Sequence, residues 1–236
     1  MKFVTVGVSL MAATLSTHLW ADGIVIDKIY HPYVQPLEQE LEVRMSHQDS
    51  QPGTADSSSL VRLAYGRSIN DRIFVEGYVI GQRSKEEDLN FQSVEMEVKW
   101  QLTEQGEYWS DWALLGEIGK SVDKNIYEMS IGVITEKELG HWSATANFFV
   151  QQEWGEDIVD ELESVFSLQA RYRYSKAFES GLEFYAGQNS YGLGPVLLGQ
   201  FKLPGTKKIK WEAGVIFGLE ENSPDTSVRF LLEHEF

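Results

Sequence analysis

The sequence predicts an all-β chain that closes into a transmembrane antiparallel β-barrel of about twelve strands. Three observations carry this expectation. Apolar and polar residues alternate at period two in about twelve runs of roughly ten residues each. Beyond the first residues, no apolar stretch approaches the roughly 20 residues that a membrane helix needs. The chain stops on an aromatic, Phe236, after Phe230, Leu232 and His234 at alternate positions, with Arg229, Leu231, Glu233 and Glu235 between them. A strand with one apolar and one mostly polar face touches two different solvents.

The elements follow in order. Met1-Lys2 is a short positive start, Phe3 to Leu15 is apolar apart from small or hydroxyl residues, and Ala21 precedes the polar Asp22. Residues 1–21 therefore read as a secretory signal peptide cleaved near Ala21. Its removal takes away Lys2 and no acid, so the formal charge moves from −16 to −17. Such a chain repels nucleic acid. With no cysteine, it has neither disulfides nor thiolate metal ligands.

Residues 22–37 are expected to form a periplasmic N-terminal arm. Pro32 and Pro36 flank an extended stretch that also carries Tyr30 and Tyr33. A plug or a docking arm is one reading, and a linker lying across the lower barrel mouth is preferred. The barrel then occupies 38–236, with strands near 38–47, 58–67, 72–82, 91–102, 108–119, 126–135, 141–152, 162–174, 180–187, 195–203, 208–219 and 227–236. Alternation is plain where Val94, Met96, Val98 and Trp100 interleave with Glu95, Glu97 and Lys99. In 72–82 and 108–119 both faces carry apolar residues, which leaves their phase open to inversion or a bulge.

A soluble sandwich also alternates, but it gives aromatic residues no reason to gather at one height. With both termini on the periplasmic side, short turns fall at 67–71, 103–107, 136–140, 175–179 and 204–207. Tyr65, Trp100, Trp142, Tyr172, Trp211 and Phe236 then form one interfacial girdle, with Tyr127 and Trp154 as a thinner belt at the other end. The remaining connections, mostly longer and rich in Gly, Asp or Ser, suit the outer face.

The inward phase is charged. Its acids are Glu40, Glu42, Glu95, Glu97, Glu128, Glu163, Glu183, Glu212, Glu233 and Glu235; its bases are Arg44, Arg62, Lys99, Arg171, Arg173, Lys210 and Arg229. The set expected to line a path is Glu95, Glu97, Lys99, Arg171, Arg173, Glu183, Lys210, Glu212 and Arg229. Such a lumen either conducts small neutral or cationic solutes or stiffens a closed shell through mutual ion pairs.

No catalytic residue, metal site or cofactor is expected. His47, beside Ser46, Asp49 and Ser50, is the nearest thing to a catalytic base, and His141 and His234 read as interfacial residues. The leading functional expectation is a small-solute channel or passive transporter with a slightly acidic lumen. A non-conducting structural or adhesion barrel and a lipid-modifying enzyme are the alternatives. Expected partners are outer-membrane lipid and lipopolysaccharide, with the oligomeric state left open.

The last stretch resembles the carboxy-terminal signature of bacterial outer-membrane proteins, an aromatic end with apolar residues at alternate positions. That resemblance implies recognition by the barrel-assembly machinery, and His234 departs from its usual apolar residue. RYRYSKAFESGLEFYAG, residues 171–187, and GVIFGLEENSPDTSVRFLLEHEF, residues 214–236, are similar to outer-membrane barrels related to the MetA-pathway of phenol degradation transporters. This resemblance implies a passive barrel in the outer membrane.

Overall fold

The computed structural model describes residues 26–49, 57–84, 88–156, 158–188, 190–221 and 223–236. The signal segment and its cleavage site lie outside them. Twelve antiparallel strands close on themselves as β1(Gln39–Gln48), β2(Ser58–Ser68), β3(Ile73–Ser84), β4(Asn90–Gln101), β5(Asp111–Ser121), β6(Ile126–Leu139), β7(Trp142–Gly155), β8(Glu161–Ser175), β9(Phe178–Ala186), β10(Tyr191–Lys202), β11(Lys208–Gly218) and β12(Thr226–Glu235).

Each strand pairs with its sequence neighbours, and β12 returns to β1 with Glu40 opposite Glu235 and Gln48 opposite Ser227. The Phe236 amide continues this seam by donating to the Gln39 carbonyl at 2.9 Å. Closure matters because lipid offers no partner to an unpaired strand edge. No helix among the described residues is long and apolar enough to cross a membrane.

The wall turns apolar side chains outward. Leu41, Met45, Leu63, Val79, Met96, Ile131, Phe148, Leu182, Val215 and Phe230 are all exposed, while Glu42, Arg44, Glu76, Glu97, Thr145, Gln169, Glu183 and Arg229 are buried on the inner side. This is the reverse of a water-soluble protein. The outer surface is the one matched to hydrocarbon.

One end of the barrel holds the start of β1 and the end of β12, and is called lower here. Its connections are short. Between β6 and β7 only Gly140 and His141 intervene, and Gly140 supplies the left-handed φ of 68° that a two-residue hairpin demands. Tyr65, Trp100 and Trp142 are exposed on the wall toward this end, with Trp142 packed edge-on against Tyr172 at 5.0 Å. Trp109 and Trp112, not anticipated in that belt, are exposed there too. At the upper end Tyr127 stacks on Trp154 at 6.0 Å.

The two strands of uncertain phase resolve as bulged and double-faced. β3 shifts register against β4 between Ile80 and Gly81. It places Phe74, Glu76, Tyr78 and Ile80 inside, and β5 places Ala113 and Leu115 inside. Apolar residues on an inner wall need an apolar partner in the lumen, and the arm supplies it.

Candidate functional site

The described part of the arm, residues 26–37, does not lie across the lower mouth, as a linker would; residues 22–25 lie outside the described residues. Ile26 to Leu37 run through the barrel lumen, because the arm's side chains and several of its backbone groups find individual partners on the inner wall. An extended chain of twelve residues reaches at most roughly 40 Å, enough to traverse a bilayer-spanning barrel.

The path begins at the lower rim. Leu37 takes a φ of 63°, turning the chain from the arm into β1. The Ser68 hydroxyl donates to the Gln35 carbonyl at 2.5 Å, and Lys208 Nζ donates to Gln35 Oε1 at 3.0 Å. Burial and the Glu235 and Glu233 charges push the Glu38 carboxyl up to about 7, although Lys210 and Lys99 oppose them.

Higher up, the arm is held by wall side chains rather than by sheet pairing. Val34 N–H donates to Gln101 Oε1 at 2.7 Å, and the Tyr33 hydroxyl donates to Asp111 Oδ2 at 2.9 Å. Asn147 reads both backbone groups of Tyr30, accepting from its N–H at 2.8 Å and donating to its carbonyl at 2.9 Å. His31 Nδ1 lies 2.6 Å from Glu136 Oε2, a fully buried carboxylate that also meets Arg173 at 3.2 Å and Arg171 at 3.6 Å. The Tyr30 ring packs on Ala113, Leu115 and Ile134, with Phe149 beside it at 5.7 Å.

The upper part of the arm is ionic and then apolar. Lys28 Nζ sits 2.8 Å from Glu42, 3.5 Å from Glu76 and 3.2 Å from the Tyr78 hydroxyl. Asp27 receives Arg44 at 2.5 Å and Arg62 at 3.1 Å, and its carbonyl accepts from the Tyr185 hydroxyl at 2.7 Å. Ile26 and Ile29 pack against Tyr185 and Ile216. Ile26, Gly192, Gly218 and Pro224 line a partly open recess of about 10 Å³ near the upper mouth, roughly the room one water needs.

The anticipated polar residues fall into two groups around this plug. Arg229 joins Glu183 and, at 2.8 Å, Glu212; Glu183 also accepts from Gln169 at 2.7 Å and Tyr185 at 2.8 Å. Lys210 meets Glu233 at 2.6 Å, and Arg171 meets Glu179 at 3.2 Å. Lys99 lies over the Phe74 ring at 5.5 Å, and Glu97 is buried. Beside the arm's upper end, Arg62 Nη1 reaches both Asp27 at 3.1 Å and Glu95 at 3.7 Å, and Glu95 and Glu128 flank Gly119.

Sequence reasoning did not single out Glu76, Glu117, Glu136, Asn147 or Tyr185. Glu76 and Glu117 sit in the two strands whose phase was open. Glu136 belonged to an expected turn, but β6 continues to Leu139. The readable signal was the apolar inner face of β3 and β5, which implied that something apolar enters the lumen.

His47 does find a serine. Its Nδ1 lies 2.9 Å from Ser59 Oγ, across the β1–β2 ladder. Asp49 is 3.7 Å from Nε2, beyond hydrogen-bond reach, and both side chains are more than half exposed. An orienting carboxylate at that distance does not fix the imidazole of a nucleophile–base pair.

The fold and its inverted surface define a transmembrane β-barrel of the outer-membrane type. No known family profile matches the sequence, and no curated protein matches it. Among solved structures, an outer-membrane channel from Pseudomonas putida F1 superposes with a TM-score of 0.59 at 10% identity, covering 89% of this chain and 100% of that one. The translocator domain of the autotransporter NalP from Neisseria meningitidis gives 0.60 at 8% identity, covering 86% and 88%. The KdgM porin in complex with disordered oligogalacturonate gives 0.52 at 10% identity, covering 84% and 98%. At such identities the likeness is one of fold.

Proposed function

We propose that this chain is an outer-membrane channel for small solutes that rests closed, with its own N-terminal arm as the plug. The observation that carries this reading is the mode of attachment. The arm contributes nothing to the closed sheet, and every contact described above joins it to a side chain of the inner wall or packs against one. A segment held this way can leave without opening the barrel. The lumen behind it carries charged groups in discrete pairs, with Glu95, Glu117 and Glu128 gathered near Arg62 in its upper part. Three carboxylates around one guanidinium bias this part of the lumen towards neutral or cationic solutes over anions.

Lys99, Glu97, Arg171, Arg173, Glu183, Lys210, Glu212 and Arg229 line the path that opens when the arm withdraws. In this reading Tyr65, Trp100, Trp142, Tyr172, Trp211 and Phe236 sit at the periplasmic interface, and the outer loops face lipopolysaccharide. The carboxy-terminal strand is the signal for the assembly machinery, and kinship with the MetA-pathway group, carried by β8–β9 and β11–β12, belongs to the same proposal.

Conductance in planar bilayers is the test. The intact chain is expected to stay shut with rare openings, whereas a chain lacking residues 26–37, still folded by its heat-dependent gel mobility, conducts in discrete steps that favour cations. A deleted chain that folds and stays silent identifies a non-conducting shell and overturns the reading.

A further inference from the structure

The lower rim holds charges that the plug's ion pairs do not satisfy. Glu38 lies between the arm and β1, Glu40 at the start of β1 and Glu233 near the end of β12, and one carboxylate oxygen from each falls within 4.8 Å of the others. Lys210 stands 2.6 Å from Glu233 and 4.0 Å from Glu38, and it and Lys208 also pair with Glu235. Three carboxylates, Glu38, Glu233 and Glu235, thus pair with two ammonium groups.

Glu40 is the one left over. It is 6% exposed, and among the described residues no hydrogen bond or ion pair reaches its carboxylate. Its stem is fixed beside Gly66, where the glycine leaves room for both Glu40 and the Phe74 ring. A carboxylate this far buried, with only the more distant Lys28 and Lys210 charges acting on it, is stabilised by a cation or a proton.

The donor set is made of hard oxygen ligands, with no nitrogen or sulfur. Calcium binds such oxygens at about 2.3–2.6 Å, so its ligand atoms stand up to about 5 Å apart, whereas magnesium demands a tighter octahedron near 2.0–2.1 Å. Oxygens no more than 4.8 Å apart fall inside the span a calcium ion bridges. We propose that Glu38, Glu40 and Glu233 form a calcium site that ties the root of the arm to the seam where β1 meets β12. Its ligands come from both sides of that seam, so a bound ion stabilises the closed barrel by mass action, whether or not the lumen conducts.

Calorimetric titration of the folded, full-length chain in detergent with calcium chloride, after chelator treatment, tests this. One saturable site is expected, binding magnesium at least tenfold more weakly. Glu40→Gln, which keeps the shape and removes the charge, lowers calcium affinity at least tenfold, and Glu221→Gln in the upper loop leaves it unchanged. Should Glu40→Gln not fold, Glu38→Gln, outside the sheet, carries the same expectation. Absence of saturable binding, equal binding by wild type and both rim variants, or equal loss with Glu221→Gln overturns the site.

Discussion

Replacing Asp27 by asparagine weakens the plug at its strongest point. The carboxylate receives Arg44 at 2.5 Å and Arg62 at 3.1 Å, and asparagine keeps the shape while removing the charge both guanidinium groups face. Breaking a buried pair by deleting one partner costs about 3–5 kcal/mol. Here Asp27 keeps 29% of its side chain exposed and Arg62 21%, so solvent screens part of the loss, and Arg44 retains Glu42 at 2.7 Å. A loss of about 2 kcal/mol remains, and at about 1.4 kcal/mol per tenfold the ratio of open to closed states rises about 30-fold. Single-channel recording of Asp27→Asn is the assay, with the fraction of time spent open as the reading. An open fraction within threefold of wild type, in a protein whose arm-deleted form conducts freely, refutes Asp27 as an anchor.

Four further outcomes follow from the same geometry. Glu183→Gln leaves the 2%-exposed Arg229 facing a neutral amide with only Glu212 as counter-ion, and is expected to destabilise the barrel by about 3 kcal/mol, read as an earlier loss of the fast-migrating band on heating. Gly132→Ala puts a methyl 2.2 Å from the Phe149 ring, which packs on Tyr30, so overpacking of about 1–3 kcal/mol is expected together with a leakier plug in bilayer recordings. Because the chain has no cysteine, single cysteines report cleanly: one at Leu37 should react with an impermeant thiol reagent from the lower side only, while one at Tyr30 stays protected until Asp27→Asn is added. Glu38, raised to about 7, binds its proton more tightly in the folded barrel than in the unfolded chain, so its contribution is fully present below about pH 4.3 and fades as pH rises through 7; Glu38→Gln should flatten the fall in melting temperature between pH 5 and 8.

The wall was legible because hydrocarbon imposes a strict rule on it. Every second residue must be apolar across a span of fixed height, and in β12 the sequence Val228, Phe230, Leu232, His234, Phe236 shows the rule with one departure. Strand ends blurred where the rule relaxes. β6 runs four residues past its expected end, through Glu136 and Lys137, because those residues project beside the lower rim, where a charged side chain meets water or a partner rather than lipid. The lumen was legible in composition but not in pairing, since alternation says which side a glutamate faces and nothing about its neighbour three strands away. Glu136 with His31, and Glu183 with Arg229, are separated by 105 and 46 residues. The arm's destination was harder still. Tyr30 and Val34 have no period to betray them, and their trace lies in the chain that receives them, as Ala113, Leu115 and Ile134 on faces that should have been polar.

The mode of attachment also says which part of the proposed channel would move, the arm rather than a strand or loop of the wall. Every strand is secured on both edges by a continuous backbone ladder, and in hydrocarbon an opened backbone group costs several kcal/mol with no water to replace it. The arm is secured differently. Its hydrogen bonds run to side chains in a polar interior, where each is worth about 1 kcal/mol net because water or a neighbouring charge can take its place. Several of its wall partners keep a second partner when it leaves: Glu136 keeps Arg173, Arg44 keeps Glu42, and Tyr185 keeps Glu183. Withdrawal therefore strands few buried charges, and the lowest-energy opening available to this barrel is release of the arm with the wall intact.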